Sequence, residues 1–448
     1  MIIQRSNGTV YLKRNIKSLV WFQLYYLLFY GFFRDIVGLP GYIAYFLDAM
    51  NIILLLYTMA NNKIWKVPRG QYRFIFLWIF FFFLSTLIGL IIVDGSLVLY
   101  VWGIRNTFRY YIFFISCAIL LDISDICEIA DIFKRVYLIN LIVCTIELLM
   151  GYRGDYLGGI FGVQQGCNGY LNLFMVILSS IYITEYLDKK NGLMKTGLFI
   201  LSGFYLMSIA ELKVFLFELP IIILLAMINA KFSFRKIVLI MICIIGMAVG
   251  ISMLGYFFED SGLSFFASDA IVSYMGDGGY TNSGDLSRLN AVFQLHKRFL
   301  SNSYRNELLG IGLGNASYSG MFSFFNSSFY RLYNALHYQW FTDAFIYIET
   351  GLIGLIFFEG FFVIIFIFSK NAVKQIDRLS NKIPDATNNK LKTVIQSTRI
   401  VAIMSIIISV YNSSLSMDSA YMVYFMMAVP VIIDLRINKQ DWNSSYYL

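Results

Sequence analysis

Long apolar runs recur along the whole chain, and this feature restricts the fold more than any other. The stretches 72–93 and 237–257 are almost uninterrupted, and comparable runs follow one another between residues 19 and 434. A run of about 18 or more apolar residues is long enough to cross a bilayer as an α-helix. Because lipid offers no partners to backbone N–H and C=O groups, a spanning segment is a helix or part of a closed barrel. The sequence has no series of short alternating strands, so it predicts an all-α polytopic membrane protein.

The charge content supports this fold class. Charged residues make up 14% of the 448 residues and hydrophobic residues 58%, whereas soluble domains carry roughly 25% charge. In a membrane protein a net charge of +8 reflects loops on the cytoplasmic side, so the expected partners include membrane lipids and no nucleic acid. The five cysteines are scattered without metal-type spacing, and we interpret them as small apolar side chains.

About twelve membrane spans are predicted. Their bounds are 19–33, 37–58, 72–93, 106–121, 136–150, 169–187, 194–210, 212–229, 237–257, 339–368, 393–411 and 417–434. The seventh and eighth could form one helix that is broken at 211–213. Asp48 lies inside the second span, where an ionisable group is costly, so it indicates either a function or a misplaced boundary. Arg105 and Arg109 open the fourth span and could simply extend toward the lipid headgroups.

The distribution of basic residues predicts the orientation of these spans. With the N-terminus inside, about 25 of the 35 Lys and Arg residues fall on the cytoplasmic side, as the positive-inside rule requires. Both termini are then cytoplasmic. The chain divides into a bundle of nine spans at 1–257, an extracytoplasmic loop at 258–338, three spans at 339–435 and a cytoplasmic tail at 436–448.

The loop at 258–338 is too long for a simple connection, and its many aromatic residues favour a folded, functional segment. Its first part is acidic, its second part is basic, and it contains both histidines of the chain, His296 and His337. Within it, "LLGIGLGN" (308–315) predicts either a tight turn or a turn that lets a phosphate or sugar approach the backbone.

The run "GDLSRLNAVFQLHKRFL" (284–300) predicts an amphipathic helix in the same loop. Asp285 is the expected cap, and basic side chains flank the apolar face. Such a helix can lie in the outer membrane–water interface with its basic edge toward lipid phosphates. The predicted apolar face consists of Leu286, Leu289, Phe293 and Leu300.

The extracytoplasmic position of these groups limits their chemistry. Sugar nucleotides are scarce outside the cell, and the sequence contains no phosphate-binding loop or dinucleotide fingerprint. A substrate therefore has to arrive already activated, and a lipid-linked diphosphate sugar meets that need. Arg and Lys side chains can hold the diphosphate, and a neutral His or a carboxylate can accept a proton from a hydroxyl group.

The end of the loop resembles the O-antigen polymerase and O-antigen ligase superfamily of bacterial envelopes. The order that it shares with the family is Arg288 at the head of a loop helix, a Gly-x-Gly-x-Gly turn at 310–314, His337, and an acidic-x-Gly-Leu-x-Gly start to the next span at 349–354. This resemblance extends upstream in two further stretches.

"GGIFGVQQGCNGYLNLF" (158–174) is similar to a Gly- and Phe-rich stretch of the family that ends in Asn, here Asn168. "SIAELKVFLFELP" (208–220) lies where relatives carry a Ser-Arg pair, and Lys213 takes the cationic place beside Glu211. The resemblance covers residues 158–358 by motif and the remainder by topology.

The resemblance implies a GT-C-like glycosyltransferase bundle that needs neither metal nor cofactor and acts at the outer face of the bacterial plasma membrane. Its substrates are undecaprenyl-diphosphate-linked oligosaccharides. The polymerase branch, which we favour, joins repeat units into O-antigen, capsule or exopolysaccharide. A flippase and a chain-length regulator of the same pathway are then possible partners.

The candidate residues divide by role. His337 or Asp343 is expected to act as the base, and Arg288, Lys213 and Arg153 are expected to hold the diphosphate. Further contacts with substrate are considered for Glu211, Asn168, Arg331 and His296. Each also has a structural alternative; His337 could anchor the tenth span, and Arg153 could pair with Asp155.

Two other functions remain open at this stage. The ligase branch transfers a finished glycan to another acceptor. A lipid-linked oligosaccharide flippase also fits twelve spans, but it is expected to place charges at mid-membrane depth between two similar halves, which the sequence does not indicate.

Overall fold

The computed structural model describes residues 7–60, 70–228, 233–258, 285–378 and 384–437. Helices make up 82% of the structure, and no β-strand occurs within these ranges. The acidic first part of the long loop, at 259–284, lies outside the described residues, as does most of the C-terminal tail.

The first nine helices follow one another along the chain, with a longer connection at 150–167 between the fifth and the sixth. They are α1 (Asn7–Asp35), α2 (Tyr45–Ala60), α3 (Gln71–Val93), α4 (Leu97–Leu120), α5 (Ile123–Leu149), α6 (Asn168–Leu187), α7 (Leu193–Ile209), α8 (Phe215–Ile228) and α9 (Phe234–Phe257).

The second part of the chain contains short loop helices followed by long ones. They are α10 (Ala291–Leu295), α11 (Tyr304–Leu309), α12 (Ser328–Tyr333), α13 (Thr342–Arg378), α14 (Asp385–Tyr411), α15 (Ala420–Met427) and α16 (Val429–Ile437).

Seven helices in the described ranges are long and apolar enough to cross a membrane. They belong to α1, to α2 with the turn before it, and to α3, α6, α9, α13 and α14. The helices α7 and α8 are apolar but shorter. These findings agree with a helical membrane protein. The apolar side chains that point outward from α3 and α9, such as Ile91 and Ile244, are what a lipid-facing surface requires.

Several predicted span starts differ from the helix starts: α5 begins at Ile123 rather than at 136, and α2 begins at Tyr45 rather than at 37. The fourth span was expected from residue 106, but α4 begins at Leu97, where the Ser96 side chain accepts a hydrogen bond from Leu99 N (3.5 Å). Arg105 and Arg109 therefore lie inside α4 instead of opening it. The seventh and eighth spans are two helices, as counted from the sequence, and not the single broken helix considered as an alternative, because a turn at 210–214 with Glu211 in the left-handed region (φ 55°) separates α7 from α8.

One end of the bundle carries the segment 285–341, and we call this end the loop face. Asp35 at the end of α1 accepts a hydrogen bond there from Val163 N (3.0 Å), in the connection between α5 and α6. Asn168 at the start of α6 donates to Ala210 O (3.1 Å), just after α7. The α14 end, which we define as Tyr411 and Asn412, lies on the same face, because its carbonyls contact the loop segment.

Lysine-rich ion pairs occupy the opposite end of the bundle. They tie together the first part of α1, the starts of α5 and α14, and the ends of α6 and α16. They are Lys17–Asp125 (2.7 Å), Lys134–Glu185 (2.5 Å), Lys390–Asp131 (2.9 Å) and Arg436–Asp122 (3.0 Å). This concentration of basic groups is what the positive-inside rule expects of a cytoplasmic face.

The described part of the long loop folds on a small core of its own. Leu286, Leu295 and Tyr338 are fully buried in this core. Burial raises the pKa of the Tyr338 phenol, which therefore stays protonated and donates to Ala316 O (2.7 Å). The prediction of a folded loop is thus supported over 285–338.

The prediction of one amphipathic helix at 284–300 is partly wrong. A helical segment runs from a 3-10 turn at Arg288–Asn290 through α10 to a wider turn at His296–Leu300. However, the predicted apolar face is split, since Leu289 and Phe293 are 59% and 61% exposed while Leu286 is buried. The strict helical period fails because the turn before α10 is tighter than an α-helix and the turn after it is wider.

Candidate functional site

The α14 end contacts the loop at Arg288 and the start of α13 at Thr342. Arg288 donates from Nη1 to Tyr411 O (2.9 Å). Thr342 donates from its backbone N (3.1 Å) and from Oγ1 (2.8 Å) to Asn412 O. The last carbonyls of a helix have no partner within the helix and carry partial negative charge, so a guanidinium and a helix N-terminus are suitable partners. Arg288 and Asp343, which follows Thr342, are thereby brought to one place.

His337 lies next to these groups. Leu286 N donates to Leu336 O (3.1 Å), so the chain before Arg288 runs beside the chain at His337. The His337 Nδ1 atom is 3.7 Å from Asp285 Oδ2. Asp285 is therefore a partner of His337 and not the helix cap that the sequence predicted.

The imidazole of His337 is both held and accessible. It stacks on the Trp340 indole, with ring centroids 3.9 Å apart and planes 5° apart, and its side chain is 36% exposed. The backbone of His337 is in the left-handed region (φ 52°), which is uncommon for a residue other than glycine. The Asp285 carboxylate lies near one ring nitrogen, at a distance longer than a hydrogen bond, and the other nitrogen can accept a substrate proton as a general base does.

Two carboxylates lie close to the α14 end. Asp343 is 8% exposed, and its Oδ1 accepts from Ala344 N (2.6 Å) in the first turn of α13. Glu359, further along α13, accepts from Ser409 Oγ (2.6 Å), one turn before the α14 end. The backbone of Gly351 breaks α13 between them (φ 65°, ψ −164°), so its first part, 342–350, is a separate short helix at the loop face.

A second group of predicted residues clusters where α6, α7 and α8 meet. Lys213 pairs with Glu211 (3.0 Å). Asn168 donates to Asp155 Oδ1 (2.8 Å). The Arg153 guanidinium lies over the Phe257 ring (5.8 Å). The alternative that Arg153 pairs with Asp155 is not observed among the described contacts, and Asp155 instead accepts from Asn168. These groups neighbour the α14 end, since Ser414 Oγ donates to Gly169 O (3.1 Å) beside Asn168.

Two predicted residues are not brought into these clusters by any contact within the described ranges. His296 Nδ1 hydrogen bonds the Tyr347 hydroxyl (2.8 Å), so it ties α10 to the first part of α13. Arg331 is exposed on α12 and donates to Ser323 O (3.4 Å). The contacts of both residues favour a structural role.

The glycine-rich turn at 310–314 is buried and does not offer its backbone to a ligand. Gly314 packs against α4 at Gly103, where added Cβ atoms would clash with backbone. Ala316 N (3.1 Å) and Ser317 Oγ (2.8 Å) both donate to Glu349 Oε1. The tight turn is observed. Its own donors Gly310 N and Ile311 N bond Asn306 O (2.8 Å) and Ile348 O (2.9 Å), so these two groups are not offered to a phosphate.

An ionic cluster that the sequence did not predict lies inside the bundle. Arg105 donates from Nε (2.9 Å) and Nη2 (2.7 Å) to Asp48 Oδ2. Arg109 pairs with Asp418 (2.6 Å), which also accepts from the Tyr30 hydroxyl (3.1 Å). An ionisable Asp48 within a predicted span was the sequence signal for this cluster. Its partners are Arg105 and Arg109, which lie one helical turn apart on α4.

The ionic cluster is balanced in charge. Arg105 and Arg109 face Asp48 and Asp418, so it forms a neutral set, and Arg109 is only 7% exposed. Within the part of the chain that the structure describes, no group of three or more His, Cys, Asp or Glu side chains is arranged as a metal site. The described polar groups of the loop face are cations, carboxylates and the imidazoles of His296 and His337, both of which are partly exposed.

No protein-family model matches this chain, and no curated protein matches it either.

Proposed function

We propose that the protein is a membrane glycosyltransferase that polymerises undecaprenyl-diphosphate-linked oligosaccharide repeat units into a surface polysaccharide. The observation that carries this proposal is the arrangement of Arg288, His337 and Asp343 around the α14 end. Transfer of a sugar from a lipid diphosphate needs a cation for the leaving group and a base for the attacking hydroxyl. Both kinds of group lie there on one face of an apolar bundle.

The proposal includes a topology. The loop face is extracytoplasmic, the bundle crosses a bacterial plasma membrane twelve times, and α15 with α16 forms the last, broken crossing. It is supported by the lysine-rich ion pairs at the opposite face and by the alternation of helix ends between the two faces. The resemblance at 158–358 adds to this proposal a GT-C-like bundle that takes its substrates from the outer leaflet.

The proposed reaction is a single displacement. The hydroxyl oxygen of a lipid-linked acceptor attacks the anomeric carbon of the donor sugar, and the bond between that carbon and the diphosphate oxygen breaks. His337 accepts the hydroxyl proton, and Asp285 stabilises the imidazolium that forms. Asp343 is the alternative base. The undecaprenyl diphosphate leaves with the bonding electron pair, and the anomeric configuration inverts.

Arg288 is the proposed main contact of the leaving diphosphate, and Lys213 and Arg153 are proposed as further contacts. A planar guanidinium can bind two phosphate oxygens at once. Lys213 has Glu211 as an ion-pair partner, so a diphosphate has to compete with that carboxylate for the ammonium group. We therefore assign Lys213 and Arg153 the smaller share of binding.

The proposal is tested by the length of the glycan that a deletion strain makes when it carries a variant. Arg288→Ala and His337→Ala should each abolish polymer and leave single lipid-linked repeat units, with normal amounts of protein in the membrane. Arg305→Ala, an exposed Arg on the same face, is the matched control and should restore full-length glycan. Long lipid-linked polymer in the deletion strain would instead indicate a ligase.

The ionic cluster favours a second candidate function, a lipid-linked oligosaccharide flippase. Charges buried inside a membrane bundle are costly and often mark a transport path, and Arg109 with Asp418 is such a pair. Purified protein in vesicles separates the two functions. A flippase moves a lipid-linked repeat unit between leaflets without lengthening its glycan, whereas a polymerase produces longer glycans.

A further inference from the structure

We infer that Asn172, Glu218 and Tyr411, which we call the tyrosine anchor, position Arg288 for the diphosphate. This inference rests on the proposed function, because it concerns how the cation of that site is held. The three residues come from α6, α8 and α14, and no sequence motif singled out any of them for this role.

The tyrosine anchor is a closed set of hydrogen bonds. Asn172 Nδ2 donates to Glu218 Oε1 (3.0 Å) and to the Tyr411 hydroxyl oxygen (3.2 Å). The Tyr411 hydroxyl in turn donates to Glu218 Oε1. These bonds fix the last side chain of α14 against two neighbouring helices.

The anchor reaches Arg288 through the backbone of Tyr411. The phenol of Tyr411 is held by the anchor, and its carbonyl oxygen accepts from Arg288 Nη1 (2.9 Å). A rotation or shift of Tyr411 therefore moves the acceptor that orients the guanidinium. Binding two phosphate oxygens with one guanidinium depends on the direction of its plane, so such a shift is expected to weaken the contact.

Burial decides between a positioning and a catalytic role. Asn172 is 0% and Glu218 1% exposed, so neither side chain can touch a substrate at the loop face. A buried carboxylate is also a costly way to pack three helices within a membrane, where apolar side chains would serve. The polar set is explained if it holds a functional group in place.

The inference is tested by binding of undecaprenyl diphosphate to the purified full-length protein in detergent. Arg288→Ala should weaken binding at least about tenfold. Tyr411→Phe, which removes both hydrogen bonds of that hydroxyl, should weaken it about threefold to tenfold. The double variant should bind no more weakly than Arg288→Ala alone, because the anchor acts only through Arg288. The matched control is Tyr137→Phe, which removes another buried hydroxyl, bonded to Ser202 Oγ (2.6 Å) away from the site.

Three results would overturn parts of this account, and they can be told apart. If Tyr411→Phe binds like the unaltered protein, or if its effect multiplies with that of Arg288→Ala, the anchor is only structural and the inference fails alone. If Arg288→Ala binds like the unaltered protein, the proposed diphosphate contact fails together with the inference. If the unaltered protein does not bind undecaprenyl diphosphate, the proposed function fails as well.

A second variant covers the case in which Tyr411→Phe does not fold. Asn172→Ala removes two of the anchor's hydrogen bonds and leaves the bond between Tyr411 and Glu218. It should also weaken binding about threefold to tenfold, and again without any further effect on Arg288→Ala. Independent effects in this cycle would contradict the inference as clearly as in the first.

Discussion

At the scale of single residues, the key polar side chains of this protein have partners that lie far away in the sequence. His337 has Asp285 beside it, Arg288 binds the carbonyl of Tyr411, and Arg109 pairs with Asp418. Residue type and motif order were enough to select His337 and Arg288 from the sequence. Their partners could not be selected, because a carboxylate or carbonyl becomes a partner only when the fold brings it within contact distance.

The pair of His337 and Asp285 gives the first prediction at this scale. Asp285→Asn should lower the rate of glycan extension by about tenfold or more, because the carboxylate no longer stabilises the imidazolium. The amount of folded protein should not change. Asp94→Asn makes the same chemical change at an exposed position of the loop face and should leave the rate unaltered. Equal rates for Asp285→Asn and the unaltered protein would remove Asp285 from the mechanism.

The ionic cluster gives a prediction about stability. Arg109→Met leaves the Asp418 carboxylate buried without its cation, and loss of one partner of a buried pair costs about 3–5 kcal/mol. The midpoint of thermal unfolding in detergent should therefore fall for this variant. Adding Asp418→Asn removes the unbalanced charge and should recover much of the loss. A single variant as stable as the unaltered protein would show that the pair contributes nothing to the fold.

At the scale of helices, apolar length predicts where a helix lies but not where it breaks or begins. The third span was predicted at 72–93 and observed at Gln71–Val93, and the ninth at 237–257 and observed at Phe234–Phe257. The start of α4 was missed because a charged Arg105 suggests a position at the lipid headgroups. In the structure Asp48 pairs with Arg105, so this arginine can lie within the helix. The break in α13 was missed because the apolar pattern continues without interruption through Gly351.

That break gives a prediction at the helix scale. Gly351 has φ 65°, and a Cβ atom there would lie 2.5 Å from Gly310 N, so Gly351→Ala meets both backbone strain and a clash. The expected loss of stability is about 2 kcal/mol or more. It should appear as a lower unfolding temperature or less folded protein. Gly197→Ala, in α7 with open space around it, is the control and should have little effect.

At the scale of the whole molecule, the two faces of the bundle differ in what they contain. The opposite face is tied together by lysine-rich ion pairs, while the loop face holds His337, Arg288 and several buried carboxylates. From charge counts alone, the positive-inside rule predicts that the lysine-rich face is cytoplasmic. The depth of the polar groups could not be predicted in the same way, because it depends on where the loop enters the bundle.

Labelling of single cysteines tests this orientation. Asn302→Cys, exposed on the loop face, should react with a membrane-impermeant thiol reagent on intact cells. Lys195→Cys, exposed on the opposite face, should react only after the cells are permeabilised. The unaltered protein is the control, since four of its five cysteines are buried and Cys127 lies on the opposite face. The reverse pattern would place the candidate site in the cytoplasm and contradict the proposed reaction.

The most direct test of the central claim uses purified protein in liposomes together with an undecaprenyl-diphosphate-linked repeat unit. The account predicts a ladder of longer lipid-linked glycans that is absent with Arg288→Ala and with His337→Ala, while Arg305→Ala still produces it. If the unaltered protein yields no lengthened glycan, or if both site variants produce the full ladder, the claim that this face carries out glycosyl transfer is contradicted.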